Sequence, residues 1–128
     1  MASSAPLSSA LPSYTSSTAD KPLLGMTIGD KFDQIAAQYP DNDALIALHQ
    51  NIHWSYRELQ QEVNRCARAL LAIGVQKGDR VGIWAPNCSE WTLTQFATAK
   101  IGAILVNINP SYRTHELEYA LNQSGARF

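Results

Sequence analysis

The sequence lacks the features that mark membrane-spanning, zinc-binding and nucleic-acid-binding proteins. It has no stretch of about 18 consecutive apolar residues, so no transmembrane segment is predicted. Its two cysteines, Cys66 and Cys88, have neither CxxC nor zinc-site spacing. A formal net charge of -1 over 128 residues offers no basic face to a nucleic acid. The neighbouring cations Arg57, Arg65 and Arg68 are interpreted as the solvated face of a helix.

Residues 1–22 are rich in Ser, Ala, Thr and Pro and have no periodicity. Such a segment buries too little apolar surface to offset its ordering entropy, so we expect residues 1–22 to be disordered. It lacks the basic and continuous apolar regions of a secretory signal, and a mitochondrial transit peptide would be Arg-rich, whereas the first arginine is Arg57. The predicted compartment is therefore cytoplasmic, with the mitochondrial matrix as the alternative.

The segment that follows predicts a helix and then a small β-hairpin. Thr27 is placed as an N-cap, and Asp30 favours the first turn. Apolar residues then recur at helical spacing: Ile28, Phe32, Ile35, Ala36 and Tyr39. Beyond Pro40, which stops this helix, residues 44–48 predict a buried strand. Gln50–Asn51 then predicts a turn, and residues 52–54 predict the returning strand.

The next helix has the clearest local signal. Ser55 and Glu58 form an S-x-x-E capping box. One face behind it is apolar, and it carries Tyr56, Leu59, Val63, Ala67 and Leu70. Gly74 has the position of a C-terminal cap, so the helix is predicted over residues 56–73.

The remaining chain alternates strands and helices. Residues 80–84 predict a strand, and a helix capped at Asn87 and Glu90 follows over residues 91–101. Because that helix is apolar nearly all round, we expect it to be buried. Residues 104–108 form an apolar run that is typical of a parallel sheet.

The end of the sequence predicts one more helix and a further strand. Thr114 is expected to cap a helix that extends to about Asn122, and Gly125 closes it. Residues 126–128 resemble a strand that is just beginning. The whole pattern predicts an α/β fold of βαβ units with parallel strands and a small N-terminal hairpin. Residues 23–128 are accordingly expected to be a truncated, partial subdomain.

A search for catalytic chemistry finds no active site. The glycines are isolated, so no phosphate-binding loop is predicted. His49 and His53 flank the hairpin turn near Asp41 and Asp43, but a solvated turn is the favoured interpretation over a metal site. Ser111 follows a proline in a turn and has no evident base. His115 follows a helix N-cap, where a cation is disfavoured. Glu116 and Glu118 are two apart on a helix and point to different faces, so they do not form a catalytic carboxylate pair.

Two ordered blocks resemble the adenylate-forming superfamily, which includes acyl-CoA synthetases. They are WSYRELQQEVNRCARALLAIGVQKGDRVGIWAPNCSEW and AKIGAILVNINPSYRTHELEYALNQSGAR. The opening PLLGMTIGDKFDQIAAQYPDNDALI is similar to the fatty-acyl-CoA synthetase branch. This resemblance implies a parent enzyme that joins a fatty acid to CoA through an acyl-adenylate and releases AMP and pyrophosphate.

The resemblance also implies which parts are missing. The family's phosphate loop, its Mg-binding glutamate and its catalytic lysine come later in the family's chain. No catalytic, cofactor-binding or metal-binding residue is therefore assigned here, and this chain alone is expected to be inactive. ATP, Mg and CoA are implied for the full-length enzyme, and the remainder of the synthetase chain is the implied partner. The alternative is a stand-alone α/β binding or interaction module without enzymatic activity.

Overall fold

The computed structural model describes Lys21 and residues 23–128. The disorder expected for residues 1–22 therefore falls, except at Lys21, outside the described residues. Within the described part, the chain forms α1 (Ile28–Gln38), β1 (Asp43–Ala47), β2 (Ile52–Ser55), α2 (Tyr56–Ala72), β3 (Arg80–Trp84), α3 (Ser89–Ile101), β4 (Ile104–Ile108) and α4 (Thr114–Ser124). This order confirms the predicted α/β fold.

Helix α1 begins as predicted. The Thr27 side chain accepts a hydrogen bond from the Asp30 N–H at 3.1 Å. Phe32 and Ala36 are buried. Of the apolar residues at helical spacing, the two end members, Ile28 and Tyr39, are exposed. Ile28 is the first residue of the helix and Tyr39 lies past its last one, so neither is covered by the packed centre of α1.

The hairpin pairs β1 and β2 antiparallel, with Ala47 opposite Ile52. Asn51 takes the left-handed conformation at φ 54°, as its place in the turn predicts. The predicted inclusion of Leu48 in a buried strand is wrong. Leu48 opens a short 3₁₀ turn, Leu48–Gln50, and its side chain is exposed, because the chain already reverses there.

The capping box of α2 is confirmed. The Ser55 side chain accepts from the Glu58 N–H at 3.3 Å, and the Glu58 carboxylate accepts from the Ser55 N–H at 2.8 Å. At the other end Gly74 has φ 98°. The N–H groups of Gly74 and Val75 donate to the carbonyls of Leu71 and Leu70, which is the Schellman arrangement. This cap ends α2 at Ala72, one residue earlier than predicted.

The second sheet is a parallel pair, as predicted. Strands β3 and β4 run in register from Arg80 opposite Ile104 to Trp84 opposite Ile108. Residues 126–128 do not form a regular strand. Even so, the Arg127 N–H donates to the Arg80 carbonyl at 3.1 Å, and the Gly82 N–H donates to the Phe128 carbonyl at 2.8 Å. The chain end thus joins β3 by two backbone hydrogen bonds.

Two predicted helix starts are wrong. Helix α3 begins at Ser89 after Cys88, so Asn87 is not its cap. Helix α4 begins at Thr114 itself, and the residue before it, Arg113, occupies the cap position. At α3 the acceptor for the first turn comes from a residue outside the helix, as the next subsection describes.

The core lies among the three helices α1, α2 and α3. Its buried members are Phe32, Leu59, Val63, Ala67 and Ala97. Phe32 also stacks on Phe96 with ring centroids 4.5 Å apart. No helix of the described residues is both long and apolar enough to cross a membrane.

The sheet is less covered than its apolar sequence predicts. In β4 only Ile108 is buried, and Ile104 is 47% exposed. In α3 burial is confined to Ser89, Ala97 and Thr98, and its large side chains are half-buried. Full burial was predicted for both elements, but within the described part of the chain both are buried only in part.

Candidate functional site

A concave surface of the described residues lies at the carboxyl ends of β3 and β4. It has a volume of about 840 Å³ and is called here the strand-end groove. Its aromatic side chains are Trp91, Tyr112 and Tyr119, and its amide side chains are Asn87, Asn107, Asn109 and Gln123. Ligands of open α/β sheets bind outside the carboxyl ends of the strands, so this position is the natural candidate site.

Local structure explains how one wall of this groove is held. The turn after β4 is predicted by Asn109–Pro110, and it is confirmed. The Asn109 side chain accepts from the Ser111 N–H at 3.0 Å, and its carbonyl accepts from the Tyr112 N–H at 3.0 Å. An Asn that bonds the backbone two residues on is a common turn device. The turn places Tyr112 at the groove, and Ser111 serves only as a backbone donor.

The lining of the strand-end groove limits its chemistry. It contains no Asp, Glu, His, Lys or Arg. The side chains of Asn87, Asn107 and Gln123 make no hydrogen bond to other described residues, so they are open to an external partner. Aromatic faces and free amide groups suit a partner that is neutral and presents a planar or polar surface to the groove. General acid–base catalysis at neutral pH would need a group that this lining does not contain.

The sequence assigned no residue to this groove, yet part of it could have been found. Consecutive parallel strands place their carboxyl ends at one edge of a sheet. The residues at or just after the carboxyl ends of β3 and β4 include Asn87 and Asn107–Tyr112, which that rule brings together. The contribution of Tyr119 and Gln123 from α4 depends on how α4 packs, and no local signal predicts that packing.

The residues weighed as a metal site do not assemble one. His53 Nε2 lies 2.8 Å from Asp43 Oδ1, so these two form a pair. Asp41 bonds instead to Arg57 at 3.0 Å. No group of three His, Cys, Asp or Glu side chains that could hold a metal occurs among the described residues. The interpretation of Arg57, Arg65 and Arg68 as a solvated face agrees with their exposure.

The remaining candidates have structural roles or none. Glu116 accepts a hydrogen bond from the Arg113 N–H at 3.2 Å, which helps to start α4. His115 and Glu118 are exposed on the same helix. Burial raises the pKa of the Cys66 thiol, which disfavours the reactive thiolate. The prediction that this chain has no catalytic, cofactor-binding or metal-binding residue stays a prediction.

The start of α3 is held by a residue from the hairpin. The Gln50 side-chain oxygen accepts from the Ser89 N–H at 2.7 Å, and the Gln50 amide donates to the Glu90 carboxylate at 2.8 Å. This hydrogen bond from Gln50, joined by others at the helix start, lowers the pKa of Glu90 to about 2. Gln50 therefore caps a helix that lies 39 residues further along the chain.

A second polar link joins the three core helices. Lys100 of α3 donates to Asp33 of α1 and, at 2.7 Å, to Asn64 of α2. Gln60 of α2 also donates to Asp33, at 2.6 Å. The Lys100 ammonium lies 5.4 Å from the centroid of the Phe32 ring. Neither this link nor the Gln50 cap is evident from the sequence, because both join residues distant along the chain.

The family model described as "AMP-binding enzyme" matches residues 32–128 of this chain. "Medium-chain acyl-CoA ligase ACSF2, mitochondrial" of Mus musculus is 44% identical over 115 residues, which cover 90% of this chain and 19% of that protein. "Putative acyl-CoA synthetase YngI" of Bacillus subtilis is 47% identical over 104 residues, which cover 81% of this chain and 19% of that protein. The chain thus spans about a fifth of the length of these curated relatives.

Solved structures agree with this match. The N-terminal domain of FACL13 from Mycobacterium tuberculosis superposes with a TM-score of 0.77 at 32% identity, covering 80% of this chain and 26% of that one. The N-terminal subdomain of NpsA from Klebsiella oxytoca superposes with a TM-score of 0.73 at 32% identity, covering 79% of this chain and 26% of that one. The similarity therefore extends from sequence to the arrangement of helices and strands.

Proposed function

The chain belongs to the family of AMP-binding enzymes, and from this premise we propose that it is the N-terminal portion of a fatty-acyl-CoA synthetase. The parent enzyme would convert ATP, a fatty acid and CoA to acyl-CoA, AMP and pyrophosphate. The observation that carries the proposal is the 44% identity to a medium-chain acyl-CoA ligase over 90% of this chain.

In this proposal the chain contributes scaffold and the remainder of the enzyme contributes the chemistry. The described residues do not fit a magnesium site, which would need converging carboxylates. The strand-end groove contains no acid or base that would act at neutral pH. ATP, Mg and CoA are therefore proposed for the full-length protein and not for residues of this segment.

The remainder of the synthetase chain is the proposed partner, and the half-covered sheet supports this. Trp84 on β3, Ile104 on β4 and Tyr119 on α4 are large apolar side chains that remain exposed. An apolar strand such as β4 is usually covered on both faces in a parallel sheet. Packing of the remaining enzyme against these residues would remove them from water.

A chimera tests the proposal directly. Residues 23–128 would replace the matching stretch of the Bacillus subtilis relative, and fatty-acid-dependent ATP–pyrophosphate exchange would be measured. We expect exchange to persist, because this chain is 47% identical to that relative over 104 residues. A folded chimera with no exchange, beside an active unaltered relative, would count against the proposal. The same chimera with Leu59→Asp serves as the control for a disrupted scaffold.

The isolated 128-residue chain is expected to show no such exchange. A rate above the no-enzyme control that heating abolishes would contradict the expectation. The alternative of a stand-alone module has support in one observation: among the described residues, every buried side-chain polar atom has a hydrogen-bond partner. A monomer with a sharp cooperative melt would favour the module, and a molten or aggregated chain would favour the scaffold.

For the compartment we propose the mitochondrial matrix, since the mouse and bovine relatives carry the word mitochondrial in their names. The absence of arginine before Arg57 instead favours the cytoplasm. Residues 1–30 fused to a fluorescent protein would decide between them: co-localisation with a matrix marker supports the proposal, and diffuse fluorescence contradicts it.

A further inference from the structure

One edge of β3 already bonds to backbone from a distant part of the chain. The Arg127 N–H donates to the Arg80 carbonyl at 3.1 Å, and the Gly82 N–H donates to the Phe128 carbonyl at 2.8 Å. Residue numbers rise in the same direction along both segments, which is the sense of a parallel pair. Arg127 and Phe128 therefore lie along β3 as the first residues of a parallel strand would, on the edge opposite to β4.

The next two polar groups on this edge of β3 are the Gly82 carbonyl and the Trp84 N–H. Alternate residues of a strand direct their backbone groups to the same edge, so Gly82 and Trp84 face the side on which Arg80 is bonded. The intervening residues face β4 instead, because the Ile104 N–H of β4 donates to the Asp79 carbonyl at 2.8 Å. Within the described part of the chain, no turn or loop residue bonds to the Gly82 carbonyl or the Trp84 N–H.

Gly82 suits the close approach of another backbone on this edge. A Cβ atom at this position would lie 3.3 Å from Ile108 Cδ1, 3.6 Å from Ala126 Cβ and 3.6 Å from the Phe128 carbonyl oxygen. A glycine inside a strand often marks a place where a second backbone comes close. Gly82 therefore favours further pairing along the edge where Phe128 already lies.

We propose that the segment that follows Phe128 in the parent enzyme is an apolar strand that pairs in parallel with Gly82–Trp84. The identity of this partner rests on the proposed function. This chain covers 19% of a curated relative, so the remaining enzyme is long enough to supply the strand. It would be apolar because strands of parallel sheets are usually covered on both faces. In the ladder, the second residue after Phe128 would donate to the Gly82 carbonyl and accept from the Trp84 N–H.

This pairing makes β3 the central strand, with β4 on one side and the proposed strand on the other. Right-handed crossovers then place α3 and α4 on opposite faces of the sheet. Ligands of open α/β sheets bind outside the carboxyl ends of the strands, where the strand order reverses in this way. The proposed strand would thus end beside residues 85–87, which line the strand-end groove.

Hydrogen exchange of the Trp84 backbone N–H tests the pairing in the full-length chimera described above. Selective isotopic labelling of tryptophan makes this amide observable by nuclear magnetic resonance. We expect it to exchange at least about 100-fold more slowly than an unstructured amide, because a ladder hydrogen bond must open before exchange occurs.

Two proline variants test the register. Proline at the second residue after Phe128 cannot donate to the Gly82 carbonyl, so it should speed Trp84 exchange about tenfold or more. Proline at the first residue after Phe128 is the matched control, because the N–H that it removes would point away from β3. It should change Trp84 exchange by less than about threefold. Equal effects of the two prolines would overturn the proposal.

The outcomes separate this pairing from the proposed function. Rapid Trp84 exchange in a chimera that retains ATP–pyrophosphate exchange would overturn the pairing and leave the function standing. Slow Trp84 exchange in a chimera without ATP–pyrophosphate exchange would support the pairing and count against the function.

A shorter protein gives the same measurement if the chimera does not fold. The 128-residue chain would be extended by about eight residues, taken from the Bacillus subtilis relative directly after its matching stretch. Trp84 exchange should be about tenfold slower with the extension than without it. Equal rates in the two chains would overturn the proposal.

Discussion

Lys100 connects the three core helices, and we predict that Lys100→Met lowers the free energy of unfolding by about 2 kcal/mol. Its ammonium donates to Asp33 and Asn64 and lies 5.4 Å from the centroid of the Phe32 ring. Methionine keeps an unbranched apolar side chain of similar length. The substitution therefore removes the charge and its hydrogen bonds and creates little cavity.

The magnitude follows from exposure. The Lys100 side chain is 12% exposed and that of Asp33 is 46% exposed. Breaking a fully buried pair costs about 3–5 kcal/mol, whereas an exposed pair contributes about 0–1 kcal/mol. Because the Asp33 side chain is already nearly half exposed to water, the expected cost lies between these limits.

The pH dependence gives an independent check. Burial raises the pKa of Asp33, but hydrogen bonds from Lys100 and Gln60 outweigh this and hold the pKa below its ordinary value of 3.8. A carboxyl group whose pKa is lowered in the folded state stabilises the fold at pH values above its ordinary pKa. That stability is lost as the pH falls through the lower, folded-state pKa. Lys100→Met should therefore weaken the acid dependence below about pH 4.

Urea unfolding monitored by tryptophan fluorescence measures the effect, with Lys77→Met as an exposed control expected to change stability by less than about 0.5 kcal/mol. A double-mutant cycle with Asp33→Asn should give an interaction energy of about 1 kcal/mol. A loss below about 0.5 kcal/mol for Lys100→Met, or additive effects in the cycle, would refute the reasoning.

Two further predictions concern the core and the cap that Gln50 provides for α3. Leu59 is 2% exposed within the core cluster, so Leu59→Ala should cost about 2–5 kcal/mol in urea unfolding, and a cost under about 1 kcal/mol would mean that this face of α2 is misassigned. Gln50→Leu should cost about 1 kcal/mol, because it leaves the N–H of buried Ser89 without its partner. The Gln50 hydrogen bond, together with others at the start of α3, lowers the pKa of Glu90 from 4.5 to about 2. Stability present above pH 4.5 should therefore fall between pH 4.5 and 2. The stability of the Gln50→Leu variant should fall less over that pH range. A pH profile identical to that of the unaltered chain would count against the cap.

Features with a short-range sequence signal were predicted well, because the interacting groups are only a few residues apart. The Ser55–Glu58 capping box joins groups three residues apart, and Asn51 and Gly74 adopt the positive φ that their turns require. The errors fall where a more distant residue intervenes. Asn87 was predicted to cap α3 because it precedes the helix, but Gln50 from the hairpin provides the acceptor.

The predicted burial of β4 shows the same limit in another form. An apolar strand sequence predicts that the side chains are buried in the complete fold, but it does not identify the elements that cover them. In the described residues Ile104 remains 47% exposed while Ile108, at the other end of the same strand, is 2% exposed. Apolar composition alone could not distinguish these two positions.

The sequence by itself determined the order of the elements, the α/β class, the caps of α1 and α2, and the resemblance to adenylate-forming enzymes. Each depends on periodicity, on spacing or on groups that are close along the chain. Tertiary structure alone decided that Gln50 holds α3, that Lys100 links three helices, and that aromatic and amide side chains gather at the carboxyl ends of β3 and β4. These arrangements join residues tens of positions apart, and packing is what brings such residues into contact.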